Sequence, residues 1–390
     1  MKKTLCFFIC LTVSGMLFGS VILDIGTGIL VETSGSCSVE VDSLVETGTG
    51  YLKGEVTSGA QTGLTEFAGL SLSAGLTGSI TRNTGAAYSK GNGEGTNFTR
   101  HYEVSNTSGS DVSADMRINF LSSGNDERNG LSGPYFIYRY ASSKWNGNGF
   151  GVSVTPDTAD AVTIPTGSSD WLLSTGSRLA VKAFLEGPYS SSGDTMSTAL
   201  NDNYDYIPTT SPYTADMRPI STIPSGVVDW VLLQVRSSAT ADTVSSRSAF
   251  IDSDGNIVDD DGTTLYTYIS AFPASYYLTV LHRNCLRIMS DETHALSFGS
   301  STQYNFTDNS DKYYGGINGV KELETGVWGM IAGDANGNGE VQVDDNSDYW
   351  WQQVGTGGYK SGDFNVNGEV QVDDQADYWW QNVGRGSQVP

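Results

Sequence analysis

Acidic and amide side chains near the carboxyl terminus recur at a spacing that suits a calcium ion. With Asp334 as the first position, oxygen-bearing side chains occupy the first, third, fifth and twelfth positions, and the seventh residue offers its backbone carbonyl. Gly339, at the sixth position, permits the sharp turn that a Cβ atom would obstruct. The spacing therefore predicts one calcium site, with the ligands Asp334, Asn336, Asn338, Glu340 and Asp345.

The same segment occurs twice. Residues 333–355 and 362–384 match in register at an offset of 29 residues. The predicted ligands of the second site are Asp363, Asn365, Asn367, Glu369 and Asp374, with Gly368 at the turn. The alternative is a pair of Asp/Asn/Gly turns that bind nothing, but duplication of the full register favours two Ca²⁺ sites. Two carboxylates among neutral amides predict a modest affinity, on the order of 10⁻⁵ to 10⁻³ M, which suits extracellular calcium.

The segments after each loop predict short structured elements. Val341 and Val370 are apolar and follow the carbonyl ligands, so we expect them to face each other in a short β pairing. Helices are expected at about residues 346–354 and 375–383. Each helix carries a tryptophan pair that could present flat faces to a sugar or a partner. The other interpretation is that one of each pair fills a small core, and the four residues are Trp350, Trp351, Trp379 and Trp380.

The amino terminus indicates export. Lys2 and Lys3 precede an apolar run at residues 5–18 and small residues, the order of a secretory signal peptide over residues 1–20. A membrane anchor is the alternative, but this run is short for a bilayer span and no later stretch approaches about 18 apolar residues. We therefore expect a secreted or cell-surface protein with no membrane span. Of its four cysteines, Cys37 and Cys285 remain after cleavage, and whether they pair is open.

Composition limits the partners. The formal net charge of -23 over 390 residues argues against nucleic acid and anionic membrane surfaces. The 47 glycines and 20 tyrosines suit short strands and tight turns at an outer surface.

Hydrophobic alternation predicts a mainly β fold. Alternating segments at residues 38–45, 51–56, 70–80 and 116–121 indicate a β-sandwich module over residues 21–175. A second β-rich module is predicted at residues 176–332, with its longest strand at 227–236. Five prolines predict a mostly irregular excursion at residues 187–224. The fold class is thus two β-sandwich, Ig-like modules followed by a small α-helical calcium-binding unit at residues 333–390.

Residues for catalysis are not evident. The three histidines are far apart in sequence and no metalloprotease or nucleophile-elbow signature accompanies them, so we assign no catalytic residue. The best candidate cluster is Asp229, Arg236, His282 and Arg283. Asp229 and Arg236 point to opposite faces of one predicted strand, which favours structural ion pairing over chemistry. Residues 252–262 (DSDGNIVDDDG) mimic half a calcium loop, but Asp-Gly hairpin turns explain them better.

The two repeats resemble the calcium loops of dockerins and EF-hand-type proteins, which anaerobic bacteria place as tails on extracellular proteins. The match is close at the ligand positions. It departs in the helices, where YWWQQV (349–354) and YWWQNV (378–383) replace an aliphatic and basic pattern. The resemblance implies a calcium-ordered docking unit whose partner is a cohesin-like protein or its own chain.

The rest of the chain resembles large secreted surface proteins of Bacteroidota-type anaerobes, known as adhesin-like or hemagglutinin-like. The segments that carry this resemblance are VKAFLEGPY (181–189), VVDWVLLQVR (227–236), YYLTVLHRNCLRIMS (276–290) and YYGGINGVKELETGVWGMIAGD (313–334). Upstream, NFTRHYEVS (97–105) and SSDWLLS (168–174) are similar to a β-sandwich that this family appends to surface β-helices. The resemblance implies a β fold and an extracellular location.

Two functions follow from these observations. The first is a non-enzymatic, calcium-binding surface or adhesion protein that contacts a protein partner or a surface glycan. The alternative is a dockerin-bearing, polysaccharide-active enzyme of the glycoside hydrolase type, with residues 187–224 as a substrate loop.

Overall fold

The computed structural model describes residues 22–25, 30–32, 39–41, 43–46, 51–85, 98–120, 127–129, 134–141, 144–148 and 157–390. The expected signal peptide at residues 1–20 and Cys37 lie outside the described residues. The chain divides into two compact units. The first comprises Met1–Gly176 with Ser270–Phe272, and the second comprises Ser177–Ile269 with Pro273–Pro390.

The first unit is built from strands. Those described are β1 Ile22–Ile25, β2 Leu30–Glu32, β3 Val39–Glu40, β4 Ser43–Glu46, β5 Tyr51–Thr57, β6 Gln61–Phe67, β7 Leu70–Thr84, β8 Arg100–Asn106, β9 Val112–Ile118, β10 Tyr135–Ala141, β11 Lys144–Asn148, β12 Asp157–Ile164 and β13 Gly167–Thr175. Among the described residues, eleven of these strands form one sheet with the main order β11-β10-β13-β8-β7-β5-β2.

Strand β7 organises this sheet. Its first residues pair with β9 and its last with β8, and it also forms a hairpin with β6. From Leu76 onward every second side chain of β7 is buried, as expected for a strand with one face toward a core. That core includes Ile80, Val104, Met116 and Trp171. The buried guanidinium of Arg100 pairs with the Glu127 carboxylate at 2.9 Å, which satisfies both charges inside the unit.

The second unit contains shorter elements. Its strands are β14 Ser177–Leu179, β15 Val181–Lys182, β16 Tyr189–Ser190, β17 Thr195–Met196, β18 Val227–Arg236, β19 Thr243–Asp252, β20 Ile257–Val258, β21 Thr267–Ile269, β22 Ser275–His282, β23 Cys285–Met289, β24 His294–Ala295, β25 Tyr304–Asn305, β26 Lys321–Glu324 and β27 Val327–Gly329. Its helices are α1 Ala199–Asp202, α2 Trp351–Gln353 and α3 Trp380–Asn382, with 3-10 turns at Thr214–Asp216, Ser310–Lys312 and Gly316–Gly319. Two π-helical turns, Asp345–Trp350 and Asp374–Trp379, lead into α2 and α3.

Strand β18 is the centre of the second unit. It lies between β19 and β22 in a sheet that continues through β23, β20 and β24. Eight of its ten residues are buried, which explains its nearly continuous apolar sequence. The excursion at residues 187–224 contains only β16, β17, α1 and one 3-10 turn, so it is mostly irregular, as predicted.

The mainly β class is confirmed, with strands in both units and short helices near the carboxyl terminus. The expected boundary between residues 332 and 333 falls inside the second unit, because the β-rich segment and both repeats share it. A division of that unit into two domains stays a prediction. Within the described ranges, no helix is long and apolar enough to cross a membrane.

Candidate metal centre

The first loop folds around its two carboxylates. The Oδ2 atom of Asp334 accepts a hydrogen bond from the Gly339 N–H at 2.9 Å. The Asp345 carboxylate accepts from the N–H of Asn336 at 3.1 Å and from the N–H of Gln342 at 2.8 Å. Both carboxylates are buried. Backbone N–H groups of the loop thus fix the carboxylates of its first and twelfth residues. The Asp334 Oδ1 atom is buried and has no hydrogen-bond partner among the described residues.

The second loop repeats this arrangement. The Asp363 Oδ2 atom accepts from the Gly368 N–H at 2.9 Å. The Asp374 carboxylate accepts from the Asn365 N–H at 3.0 Å and from the Gln371 N–H at 2.7 Å. Asp363 and Asp374 are fully buried. The duplicated sequence therefore produces a duplicated geometry.

The middle of each loop turns inward. Glu340 donates its N–H to the Asn338 side chain, and Glu369 donates its N–H to the Asn367 side chain. An antiparallel bridge joins Glu340 to Gly386 through the backbone groups of the residues on either side, since Ser387 N–H donates to the Gly339 carbonyl and Val341 N–H to the Arg385 carbonyl. Because strand residues alternate, the carbonyl of Glu340 faces the loop rather than the bridge. This orientation suits the predicted seventh ligand.

The glycines at the sixth position have the expected conformation. Gly339 has φ +91° and Gly368 has φ +93°, a left-handed region that L side chains rarely adopt. A Cβ atom at Gly368 would also lie 2.9 Å from the Tyr204 ring. Both loops therefore depend on glycine at this position.

Burial makes the loop carboxylates unusually basic. Burial raises the pKa of Asp334 to about 6, and the charge of Asp345 acts in the same direction, although the Gly339 N–H opposes both. Burial also raises the pKa of Asp345, that of Asp363 to about 6 and that of Asp374 to about 7. A carboxylate taken out of water loses hydration that a cation can replace. The donor set of two carboxylates, amides and a carbonyl thus fits a hard cation such as Ca²⁺.

The ten predicted ligands form two sets of five, one in each loop. The first set is Asp334, Asn336, Asn338, Glu340 and Asp345, and the second is Asp363, Asn365, Asn367, Glu369 and Asp374. No group of three or more His, Cys, Asp or Glu side chains that could hold a metal occurs in the part of the chain that the structure describes. In each loop only two of the predicted ligands bind through a carboxylate, and the others bind through Asn amides and a backbone carbonyl, so calcium binding stays a prediction.

The expected pairing of Val341 with Val370 is wrong. The backbone of Val341 bonds to Gly384 and Arg385, at the end of the second repeat. The backbone of Val370 bonds instead to residues 355 and 356, at the end of the first repeat. Each loop is thus paired with the segment that follows the helix of the other repeat. The two loops do not pair with each other through these valines.

The buried tryptophans also bond reciprocally between the two repeats. The Trp350 indole N–H donates to the Gln371 carbonyl at 2.8 Å, and the Trp379 indole N–H donates to the Gln342 carbonyl at 2.8 Å. Both rings are buried, whereas Trp351 and its counterpart in the second repeat are 65% and 64% exposed. The interpretation that one of each pair fills a core is confirmed.

A buried polar cluster lies beside the second loop. The Asp229 carboxylate accepts from Arg283 Nε at 2.8 Å and from the Tyr359 hydroxyl at 2.8 Å, and it lies 3.0 Å from His282 Nε2. Burial raises the pKa of Asp229, but Arg283, His282 and Tyr359 together outweigh it and lower the pKa to about 2. Burial lowers the pKa of His282. The cluster is therefore a neutralised network, and the interpretation as structural ion pairing fits it.

Arg236 does not belong to this cluster. Its Nη1 atom donates to the Pro390 carbonyl at 2.8 Å instead, on the face of β18 opposite to Asp229. The DSDGN segment forms the hairpin turn between β19 and β20, with the Asp252 carboxylate accepting from the Asn256 N–H at 2.8 Å. The preference for a turn over a third calcium loop agrees with this geometry.

Sequence reasoning missed the contacts that join the repeats to the β-rich segment. Glu186 accepts from the Asn382 amide at 2.7 Å and from the Ala332 N–H at 2.9 Å, and it also pairs with Lys321. The first repeat has Gln353 where the second has Asn382. This difference between otherwise matching segments is the sequence feature that could have indicated a special contact at Asn382. Tyr359 carried no signal, because it lies between the repeats.

No protein-family model and no curated protein matches the chain. Among solved structures, it is similar to a chain of an N-terminal interface mutant of a type II cohesin-X-dockerin complex from Acetivibrio cellulolyticus. The identity is 13% and the TM-score is 0.28, with 54% of this chain and 96% of that chain covered. A likeness at this TM-score supports no inference about function.

Proposed function

We propose that this protein is a secreted, non-enzymatic surface protein in which calcium orders a pair of repeats at the carboxyl terminus. The observation that carries the proposal is the burial of two carboxylates in each loop, held by backbone donors that leave the Asp334 Oδ1 atom without a partner. Bound calcium would offset the charge of these carboxylates and replace the hydration they lose.

The repeats dock on their own chain in this proposal. Asn382 contacts Glu186, and the Arg385 guanidinium donates to the Val320 carbonyl at 3.0 Å. The Ser387 hydroxyl donates to the Arg287 carbonyl at 2.8 Å. These contacts support a docking unit that completes the β-rich segment. An external cohesin-like protein or surface glycan, and membership of the adhesin-like surface proteins, rest on the sequence alone.

The segment proposed as a substrate loop in the enzyme alternative packs against the second calcium loop. The rings of Tyr204 and Tyr206 are stacked with centroids 5.3 Å apart. A Cβ atom at Gly368 would lie 2.9 Å from the Tyr204 ring and 3.3 Å from the Tyr206 ring. This packing supports a structural role for residues 187–224. Hydrolysis of any member of a glycan panel by the purified protein would favour the enzyme instead.

Calcium titration calorimetry tests the proposal. The wild-type chain is expected to bind Ca²⁺ with dissociation constants on the order of 10⁻⁵ to 10⁻³ M, and the double variant Asp334→Asn, Asp363→Asn is expected to bind at least about tenfold more weakly. The double variant Asp348→Asn, Asp377→Asn is the matched control, since it removes the same charge from exposed positions outside the loops. No binding heat from the wild type at millimolar Ca²⁺ would refute the proposal.

A further inference from the structure

The first carboxylates of the two loops differ in their basic neighbour. In the second loop, the Arg283 Nη2 atom lies 4.0 Å from the Asp363 Oδ2 atom, and both side chains are buried. In the first loop, the equivalent carboxylate of Asp334 forms no ion pair with a basic side chain among the described residues. Arg287 is near Gly339, but its guanidinium makes no such pair within the same residues. Among the described residues, the first carboxylate of the second loop thus has an arginine within ion-pair distance, and that of the first loop does not.

Arg283 is held in this place from several sides. Its Nε atom donates to Asp229 at 2.8 Å, its Nη1 atom donates to the Lys360 carbonyl, and its guanidinium lies 4.4 Å from the centre of the Tyr359 ring. The Nη2 atom is buried and has no hydrogen-bond partner in the described part of the chain. Since the other two nitrogens are engaged, Arg283 cannot turn from Asp363 without breaking both bonds.

We propose that Arg283 is a built-in counter-ion of the second calcium site, and that the first site therefore fills first. This inference rests on the proposed function. A divalent cation held by Asp363 would be repelled by the nearby guanidinium, and the repulsion is weakly screened because the groups are buried. Asp229, which accepts a hydrogen bond from Nε, offsets only part of that charge.

The same contacts connect the second site to the β-rich segment. The Asn284 amide donates to the Asp363 carbonyl at 2.6 Å, and the Asn284 carbonyl accepts from the Gly333 N–H at 2.9 Å. The turn between β22 and β23 therefore contacts both loops directly. A cation in the second site would act directly on Arg283, which also belongs to the Asp229 cluster.

Single-site variants make the two affinities measurable by calorimetry. In Asp363→Asn only the first site remains, and in Asp334→Asn only the second. The first site is expected to bind Ca²⁺ at least about tenfold more tightly than the second, a difference of about 1.4 kcal/mol. Adding Arg283→Gln to the Asp334→Asn chain is expected to tighten the second site about tenfold. Arg283→Lys retains the charge and is expected to leave the second site weak.

A second variant guards against misfolding. Arg283→Gln alone leaves the buried Asp229 carboxylate without its main partner, so Asp229→Asn with Arg283→Gln removes both charges. Circular dichroism verifies folding, and Arg287→Gln is the control for a nearby arginine without an ion pair to a loop. Equal affinities of the two sites would overturn this inference alone. So would an unchanged affinity of the second site when Arg283→Gln is added to Asp334→Asn. Absence of binding in the wild type would overturn the calcium sites and the inference together.

Discussion

At the residue scale, the buried charge of Asp229 in the second unit is compensated by its neighbours. Asp229 accepts four hydrogen bonds, including one from the Trp230 N–H at 2.7 Å, and no water is needed to satisfy it. Arg247 similarly meets Asp259 at 2.6 Å. A buried ion that loses one partner costs several kcal/mol, whereas an exposed pair contributes little. Substitutions at Asp229 and its partners should therefore change stability strongly.

The Tyr359 hydroxyl provides the mildest test of the cluster. Tyr359→Phe removes one hydrogen bond to a buried carboxylate at 2.8 Å and leaves the ring in place. We expect a loss of about 1.5–3 kcal/mol in the free energy of unfolding, as for other hydrogen bonds to charged groups. Denaturant unfolding measures it. Tyr204→Phe is the control, because Tyr204 is 42% exposed, and equal effects of the two variants would contradict the assignment.

His101 predicts a pH dependence in the first unit. Burial lowers its pKa to about 4 from 6.5, although Asp170 raises it slightly. The folded form resists protonation, so the contribution of the neutral ring is fully present above pH 6.5 and is lost as pH falls toward 4. Between pH 7 and pH 5, His101→Gln should lose about 2 kcal/mol less stability than the wild type. Parallel pH profiles for the two proteins in denaturant unfolding would show the prediction wrong.

At the element scale, the crossed tryptophans hold the repeats together. Trp379 is 5% exposed and its neighbour Trp380 is 64% exposed, although the two residues are adjacent and chemically identical. Trp379→Ala should cost about 3–5 kcal/mol in unfolding free energy, because it removes a buried ring and its bond to Gln342. Trp380→Ala should change it by less than about 0.5 kcal/mol. The two variants compared by thermal unfolding settle the assignment, and similar losses would refute it.

Local patterns predicted the elements better than their pairings. Strand β18 matches the predicted residues 227–236, and the loop ligands follow from a spacing fixed by one short segment. The partner of Val341 could not be found this way, because pairing depends on how two helices fold back between the repeats. The Asp229–Tyr359 contact joins residues 130 apart in sequence, and nothing local to either residue indicates the other.

At the scale of the whole molecule, calcium should act on one unit only. Both loops belong to the second unit, in which residues 177–269 and 273–390 pack together. The repeats share hydrogen bonds with the β-rich segment through Glu186, Asn284 and Arg283. A ligand that binds only the folded form stabilises whatever unfolds with its site. Calcium is therefore expected to stabilise the β-rich segment together with the repeats.

Scanning calorimetry with calcium and with chelator measures this linkage. At a calcium concentration about 100 times the dissociation constant, each site adds about 2.7 kcal/mol to the unit that contains it. The transition of the second unit should rise in temperature, and that of the first unit should not move. Asp334→Asn with Asp363→Asn should abolish the rise, while Asp348→Asn with Asp377→Asn should preserve it. If calcium instead raises only the temperature of a small, early transition of the repeats, the repeats unfold alone. The contacts at Glu186 and Arg283 would then be too weak to couple them to the β-rich segment.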